Sequence, residues 1–216
     1  MVVTPQKSKL ALDIWVKATW EDFVALADDR AYTRTNRFYY DRDAMRIEMA
    51  ALGPIHAREN AIVSKVVSLF ATLKNIRIFE YLNCSFRKEP ERECQPDLAF
   101  YIGEGLRLPA SNNSPVNLKE HDPPTLIIEI ASTTLNDDLG HKRLLYERLG
   151  VREYWVVDVE ATEVYAFEIA DGRSGRIQAS QVLAGLRIAT VEEALLRSQS
   201  EDDGAIARWL LQTFNA

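Results

Sequence analysis

The sequence has few cysteines, no long apolar run and no surplus of basic residues, and each shortage excludes a class of protein. Cys84 and Cys94 are not spaced as a CxxC pair, and two cysteines cannot form a disulfide framework. We therefore expect two free thiols in a reducing cytoplasm. No segment approaches the roughly 20 apolar residues of a membrane span, and the first residues lack the apolar core of a signal peptide. These absences predict a soluble, cytoplasmic protein with no membrane partner.

The net charge of −6 argues against a protein that coats nucleic acid, because such proteins are usually basic. It leaves room for an enzyme with a local basic groove, since the field in a cleft is set by nearby residues. With 47% hydrophobic residues, a chain of 216 residues has enough apolar side chains to fill a sizeable core.

Hydrophobic periodicity predicts an α/β fold with a mixed central β-sheet flanked by helices. We expect one domain over residues 1–216, with a core at about 54–170, an N-terminal extension (1–53) and C-terminal helices (188–216). The extension should hold a helix that begins at Thr19 and a β-hairpin at 36–50. The predicted core elements are a helix at 56–73, strands at 76–86, 96–102 and 126–131, a helix at 137–149, and strands at 152–158 and 163–169. A long loop should occupy residues 103–124.

Glu129 lies inside the apolar segment Leu126–Ala131, which is typical of a strand covered on both faces. A buried carboxylate is costly unless it is paired or bound to a metal. We therefore expect a partner for Glu129, either a metal ion or an arginine in a structural salt bridge. The remaining alternative is that Glu129 lies at a solvent-exposed strand end.

Asp97 repeats this pattern at the start of the next apolar strand upstream, although an X-Pro-Asp step is also a common turn. Two acids on neighbouring strands would form an oxygen-rich site, which suits Mg²⁺. Lys142 lies on the helix after the Glu129 strand, and Asp138, Lys142 and Tyr146 share one helical face. We expect Lys142 at the border of core and solvent, where a helical lysine is more often a surface charge than a catalyst.

Four segments in this order resemble the Uma family of putative restriction endonucleases, in the PD-(D/E)XK nuclease superfamily: RFYYDRDAMRIEMAALGPIHAREN, PDLAF, LIIEIAST and YERLGVREYWVVD. The resemblance covers roughly residues 19–197. It implies a restriction-endonuclease-like fold, with Asp97 as the motif's aspartate and Glu129 as its second acid. The superfamily places lysine two residues after that acid, where this sequence has Ala131. In the family that it resembles, the following helix supplies the lysine, which implies Lys142.

Two further residues are candidates for the catalytic set. Glu48 resembles a position that the family often keeps acidic, and it is either a third acid or a salt-bridge partner of an arginine. His56 is expected to hydrogen-bond a carboxylate or a phosphate, or to serve in capping or packing. Arginines that alternate with aromatic residues also suggest a surface for phosphates and bases, with a solvated face as the alternative; they are Arg30, Arg34, Arg37, Arg42 and Arg46.

These observations predict a metal-dependent endonuclease for nucleic acid, DNA rather than RNA. Asp97 and Glu129 would bind Mg²⁺ or Mn²⁺, and Lys142 would stabilise charge on the phosphoryl oxygens. We expect a homodimer, because enzymes that cut duplexes often pair two sites. The main alternative is an inactive nucleic-acid-binding or scaffold protein that retains the fold, as Ala131 and the acidic charge suggest. A third is another hydrolase that uses the two carboxylates as acid and base.

Overall fold

The computed structural model describes residues 11–49 and 53–215. The predicted extension and C-terminal region include residues 1–10, 50–52 and 216, which lie outside the described residues. The strands are β1 (Trp15–Lys17), β2 (Asn36–Asp41), β3 (Ala44–Met49), β4 (Ile78–Leu82), β5 (Phe86–Lys88), β6 (Arg92–Cys94), β7 (Leu98–Ile102), β8 (Val116–Asn117), β9 (Leu126–Ala131), β10 (Glu153–Asp158), β11 (Glu163–Ala170) and β12 (Arg173–Ile177). The helices are α1 (Trp20–Ala27), α2 (Arg30–Thr33), α3 (Pro54–Leu73), α4 (Leu135–Asp137), α5 (Arg143–Leu149), α6 (Ile188–Ser198) and α7 (Asp203–Asn215), and a π-helical segment, Asp138–Lys142, joins α4 to α5.

The central sheet has the strand order β12-β11-β10-β9-β7-β4 and confirms the predicted mixed sheet flanked by helices. β9 and β10 pair in parallel, and the chain between them forms α4, the π-helical segment and α5. β7 runs antiparallel to β9, with Leu98 opposite Ile128. This register brings the residue before β7, Asp97, next to Glu129 in β9.

A second sheet, the outer sheet, has the order β1-β3-β2-β6-β5-β8. Its hairpin β2–β3 confirms the two strands predicted at 36–50, of which residue 50 lies outside the described residues. The single strand predicted at 76–86 is wrong, because the chain divides it into β4 and β5 at Asn83, which has a φ of 50°. The sequence also gave no indication of β6, whose Arg92 and Glu93 are buried charged residues.

Local signals set the ends of several elements. Thr19 caps α1 in a reciprocal capping box with Asp22, which supports the predicted helix start. Gly150 ends α5 with a φ of 89°, a left-handed conformation that glycine adopts readily, and this confirms the end of the predicted helix at residue 149. Cys84 and Cys94 are free thiols, as expected. None of the described helices is long and apolar enough to cross a membrane.

The two faces of the central sheet pack in different cores. In β7 and β9, even-numbered residues such as Leu98, Phe100 and Ile128 pack in the hydrophobic cluster that contains residues of α3, α6 and α7. Odd-numbered residues such as Ala99 and Ile127 pack in the cluster that contains residues of α5 and the outer sheet. Strand residues alternate between faces, so Asp97 and Glu129 belong to this second face.

Glu59, on α3, is a buried acid outside both cores, and we expect it to reduce stability at neutral pH. Burial raises the pKa of its carboxyl to about 7; the nearby His56 opposes this shift and Asp158 adds to it. The pKa in the folded state lies above that of an unfolded glutamate, at about 4.3. The free energy of unfolding therefore falls as the pH rises from the pKa of the unfolded glutamate to the pKa of Glu59 in the folded state. Glu59→Gln should raise the free energy of unfolding by about 1–2 kcal/mol at pH 8 and by almost nothing near pH 4.

Urea denaturation at both pH values measures this difference. The exposed Glu160 provides the matched control, since Glu160→Gln should leave both values unchanged. An equal gain for Glu59→Gln at the two pH values would show that its carboxylate is not the cause.

Candidate active site

All five predicted site residues line one cleft of about 710 Å³. The hairpin β2–β3 contributes Glu48, the start of α3 contributes His56, the strands contribute Asp97 and Glu129, and the π-helical segment contributes Lys142. All five side chains are buried. The fold thus brings together residues that are up to 94 positions apart in the chain.

Asp97 is an ionised carboxylate held by three groups. Its Oδ1 contacts Arg37 Nη1 at 2.5 Å and His56 Nε2 at 3.0 Å, and its Oδ2 accepts the backbone N–H of Ile130 at 2.8 Å. Burial alone would raise the pKa of Asp97. The hydrogen bond from His56, the Arg37 charge and the Ile130 amide outweigh it and lower the pKa to about 2.

Glu129 is buried and has weaker electrostatic compensation. Its Oε1 accepts the hydroxyl of Tyr146 at 2.5 Å, and its Oε2 accepts the backbone N–H of Asp97 at 3.3 Å. The nearest ammonium group, Lys142 Nζ, lies 3.8 Å from Oε1. Burial raises the pKa of Glu129 to about 8; Lys142 opposes the shift and the negative charge of Asp97 increases it. At neutral pH the carboxyl therefore holds a proton unless another cation enters the cleft.

Lys142 is fully buried, which corrects the expectation that it lies at the border of core and solvent. Its Nζ lies 2.9 Å from Glu48 Oε2 and 2.8 Å from Asp138 Oδ1, and 4.3 Å from the centre of the Tyr39 ring. Burial would lower the pKa of Lys142, but the surrounding carboxylates raise it above its ordinary value. The ammonium group therefore stays charged.

The π-helical segment carries Lys142 and its partner Asp138 into the interior. Such segments insert a wider turn into a helix and are often found at functional sites. The predicted pairing of Asp138 with Lys142 across one helical turn is present as an ion pair. The sequence indicated the spacing but not the wider turn.

Acidic groups outnumber their cationic partners around the cleft. Arg37 pairs with Asp97, and Arg46 Nε contacts Glu48 Oε1 at 2.6 Å and Asp137 Oδ2 at 3.2 Å. Lys142 then has three carboxylates within 4 Å, those of Glu48, Asp138 and Glu129, of which Glu129 is the farthest. A cation beside Glu129 and Asp97 would relieve this imbalance.

The two carboxylates fit a divalent cation as a partial coordination shell. Asp97 Oδ2 and Glu129 Oε2 each accept one backbone N–H, which leaves each oxygen a second lone pair. Mg²⁺ is usually bound by one or two carboxylates, with water and phosphate oxygens completing the shell. Over residues 11–49 and 53–215, no group of three or more Asp, Glu, His or Cys side chains is arranged to hold a metal. Asp97 and Glu129 thus provide two carboxylate donors, a number that Mg²⁺ commonly takes from a protein.

The sequence did not identify several residues that shape this site. Arg37 and Arg46 were expected either on a surface for phosphates and bases or on a solvated face. Both are buried and paired with acids, so neither alternative holds for these two. Arg30, Arg34 and Arg42 are exposed. In the hairpin, Arg37 is in register with Glu48. The alternation of charged and apolar residues in β2 and β3 could have shown that the charged residues share one face.

Tyr146 packs in the aromatic core, with its ring 4.7 Å from that of Tyr154, and its hydroxyl also donates to Glu129. Trp155 and Asp158 contribute to the fold. Trp155 is fully buried, and Asp158 accepts the backbone N–H groups of Glu160 and Ala161 in a turn.

Comparison with known proteins adds a family and a fold. The model of the Uma2 family, described as "Putative restriction endonuclease", matches residues 20–204. Among solved structures, the chain is similar to a protein from Anabaena variabilis described as a putative nuclease belonging to DUF820. That similarity has a TM-score of 0.54 at 17% sequence identity and covers 82% of this chain and 98% of the other. No curated protein matches the chain.

Proposed function

Because the chain belongs to the Uma2 family of putative restriction endonucleases, we propose that it is a metal-dependent endonuclease that hydrolyses phosphodiester bonds, with DNA as its substrate. The observation that carries this proposal is the buried Glu129, which shares its nearest ammonium group, Lys142 at 3.8 Å, with two closer acids and lies beside Asp97 in an open cleft. The cleft contains both acidic and basic side chains, and this mixture suits a site that is completed by a cation and an anionic phosphate.

Asp97 and Glu129 would hold the metal, Mg²⁺ or Mn²⁺. When bound, such a metal polarises the phosphoryl group and lowers the pKa of a coordinated water. Arg37 and His56 keep Asp97 ionised and oriented, and Tyr146 orients Glu129. These contacts would orient both carboxylates for binding a cation.

Lys142 would stabilise negative charge on the phosphoryl oxygens. The ammonium group donates a hydrogen bond to Glu48 Oε2 and forms an ion pair with Asp138. Lys142 also lines the cleft, so a phosphate bound there would lie close to the ammonium group. Glu48 and Asp138 thus act as positioning residues that hold the ammonium group in place, and this supports the helix as the source of the lysine that position 131 does not supply.

The ion pair between Arg37 and Asp97 favours a second candidate function, an inactive nucleic-acid-binding or scaffold protein. In that case Arg37 permanently replaces the metal as the cation beside Asp97. Binding of nucleic acid without cleavage under any metal condition would support this alternative.

The deciding experiment incubates the purified protein with single-stranded DNA, duplex DNA and RNA, each with Mg²⁺, Mn²⁺ or a chelator. We expect cleavage of DNA with Mg²⁺ or Mn²⁺ and none with the chelator. Asp171→Asn is a suitable control variant, because this exposed turn residue has a φ of 51°, which asparagine tolerates. Cleavage that persists in the chelator would contradict the metal site.

A homodimer forms part of this proposal, because enzymes that cut duplexes often pair two active sites. Analytical ultracentrifugation with and without duplex DNA tests it. A monomer that cuts both strands at once would contradict this part alone.

Tyr146→Phe should reduce cleavage by about 10- to 100-fold while the protein stays folded. The change removes only the hydroxyl that donates to Glu129, so the carboxylate loses its orientation and binds the metal less tightly. Metal affinity measured by calorimetry should fall together with the cleavage rate.

Tyr40→Phe is the matched control for this effect. It removes the hydrogen bond from a buried tyrosine to the backbone carbonyl of Ala18, outside the cleft. An equal loss of metal affinity in both variants would mean that Tyr146 acts on overall stability and not on Glu129.

A further inference from the structure

A second cavity, of about 870 Å³, adjoins the cleft. Arg37 lines the cleft and donates from Nη2 to Oδ1 of Asn83 at 2.5 Å, and Asn83 lines the second cavity. Gln95 also lines it, and the backbone carbonyl of Gln95 accepts the hydroxyl of Tyr39, 3.5 Å from Glu129 Oε1. One layer of side chains therefore separates the two cavities. A group in the second cavity would lie next to the phosphate that the cleft is proposed to bind.

Five side-chain amides line this cavity, which we call the amide cavity: Asn83, Gln95, Asn112, Asn113 and Asn117. An amide offers both donors and an acceptor. Nucleobases present the same mixture along their edges, and proteins read unpaired bases by such hydrogen bonds together with stacking on aromatic rings. Tyr81, which is half-buried, supplies an aromatic ring to the wall.

The charges of the amide cavity do not suit a phosphate. Its lining includes two arginines, Arg30 and Arg87, and three acids, Asp28, Glu89 and Glu93. Arg87 pairs with both Asp28 and Glu93, so its charge is already compensated. A neutral ligand rich in hydrogen-bonding groups fits this lining better than an anion does.

The amide cavity is also large enough to hold a small molecule. A volume of about 870 Å³ lies in the range of small-molecule sites, roughly 300–1,000 Å³. A base that remains paired and stacked in a duplex cannot enter a separate cavity, whereas an unpaired or extruded base can.

We propose that the amide cavity binds an unpaired nucleobase beside the scissile phosphate. The preferred substrate is then single-stranded DNA, or a duplex that has an unpaired nucleotide at the cut. This inference rests on the proposed nuclease function for the identity of the neighbouring group, and it adds the class of substrate.

Fluorescence polarisation in a chelator, with the full chain, tests the proposal without any need for cleavage. The probes are a short single-stranded DNA, the perfect duplex and the same duplex with one unpaired nucleotide. We expect the first and third to bind about tenfold more tightly than the perfect duplex. Ser114→Trp places an indole at the rim of the cavity and should remove this preference.

Ser111→Trp is the matched control, because Ser111 is exposed in the same loop but does not line the cavity. Equal affinity for the three probes, or equal effects of the two variants, would overturn the inference.

A cleavage assay with Mg²⁺ distinguishes failure of the base site from failure of the proposed nuclease function. If wild-type protein and Ser114→Trp cut duplex DNA equally well, only the base site fails. If selective binding occurs without cleavage, the base site stands and the nuclease proposal fails.

Discussion

Asp97→Asn and Glu129→Gln are both expected to abolish cleavage but to change the free energy of unfolding in opposite directions. Each variant removes one of the two carboxylates that would hold the metal, so the cleavage rate should fall by about a thousandfold or more. Their effects on the stability of the metal-free protein differ, because neighbouring cations neutralise the charge of the two carboxylates to different degrees.

Asp97→Asn should lower the free energy of unfolding by about 3–5 kcal/mol, since it leaves Arg37 buried without its carboxylate partner. Glu129→Gln should raise it by about 1–3 kcal/mol at pH 8, because the wild-type carboxyl, with a pKa of about 8, is costly to ionise in the folded state. The sign follows from the raised pKa: stability is lost as the pH rises through it.

Urea denaturation in a chelator, run beside the cleavage assay, measures both effects. Asp171→Asn and Glu160→Gln, at exposed positions, should change neither quantity. If Glu129→Gln destabilises the protein as much as Asp97→Asn does, then Lys142 and Tyr146 already compensate the Glu129 carboxylate, and the charge imbalance that supports the metal site does not exist.

Lys142→Met is expected to cost about 3–5 kcal/mol of stability and to abolish cleavage. The change removes the ammonium group that lies between Glu48 and Asp138 and leaves their carboxylates buried with one partner fewer. Loss of activity alone would not distinguish a catalytic lysine from a structural one, because the variant protein could be partly unfolded.

The double variant Lys142→Met with Glu48→Gln separates the two roles. Removing the acid together with its cation should restore part of the stability, since the two residues are in direct contact and their effects are not additive. Cleavage should remain lost, while Lys142→Arg should preserve the charge and some of the activity. A double variant that is stable and cleaves at the wild-type rate would rule out a catalytic role for Lys142.

The contact between Arg37 and Asp97 bears on metal entry as well as on stability. In the metal-free protein Arg37 provides the positive charge that Asp97 needs, so the bound metal must share the carboxylate with Arg37 or displace it. Because Arg37 is involved in both cases, we expect Arg37→Ala to bind metal with a different affinity from that of the wild-type protein. Calorimetry of this variant would show whether the affinity rises or falls.

The pattern of apolar residues by itself indicated most strands of the central sheet, the helices on its faces, and the acids Asp97 and Glu129 beside or within apolar strands. Continuous apolar segments such as Leu126–Ala131 can be covered on both faces only inside a sheet, and an acid within such a segment stands out. The spacing of four between Asp138 and Lys142 likewise determined that these two side chains would meet. These features are local, so a single segment of sequence contains the information.

Tertiary structure decided the charge pairs between residues that are distant in the chain. The outer sheet brings Arg37 to Asp97 and Glu48 to Lys142, and it depends on pairings such as that of β2 with β6. The widened turn at Asp138–Lys142 moves Lys142 fully into the core. Burial and charge in the cleft depend on segments that are distant in the chain. For this reason the raised pKa of Glu129 could not be derived from the strand that contains it.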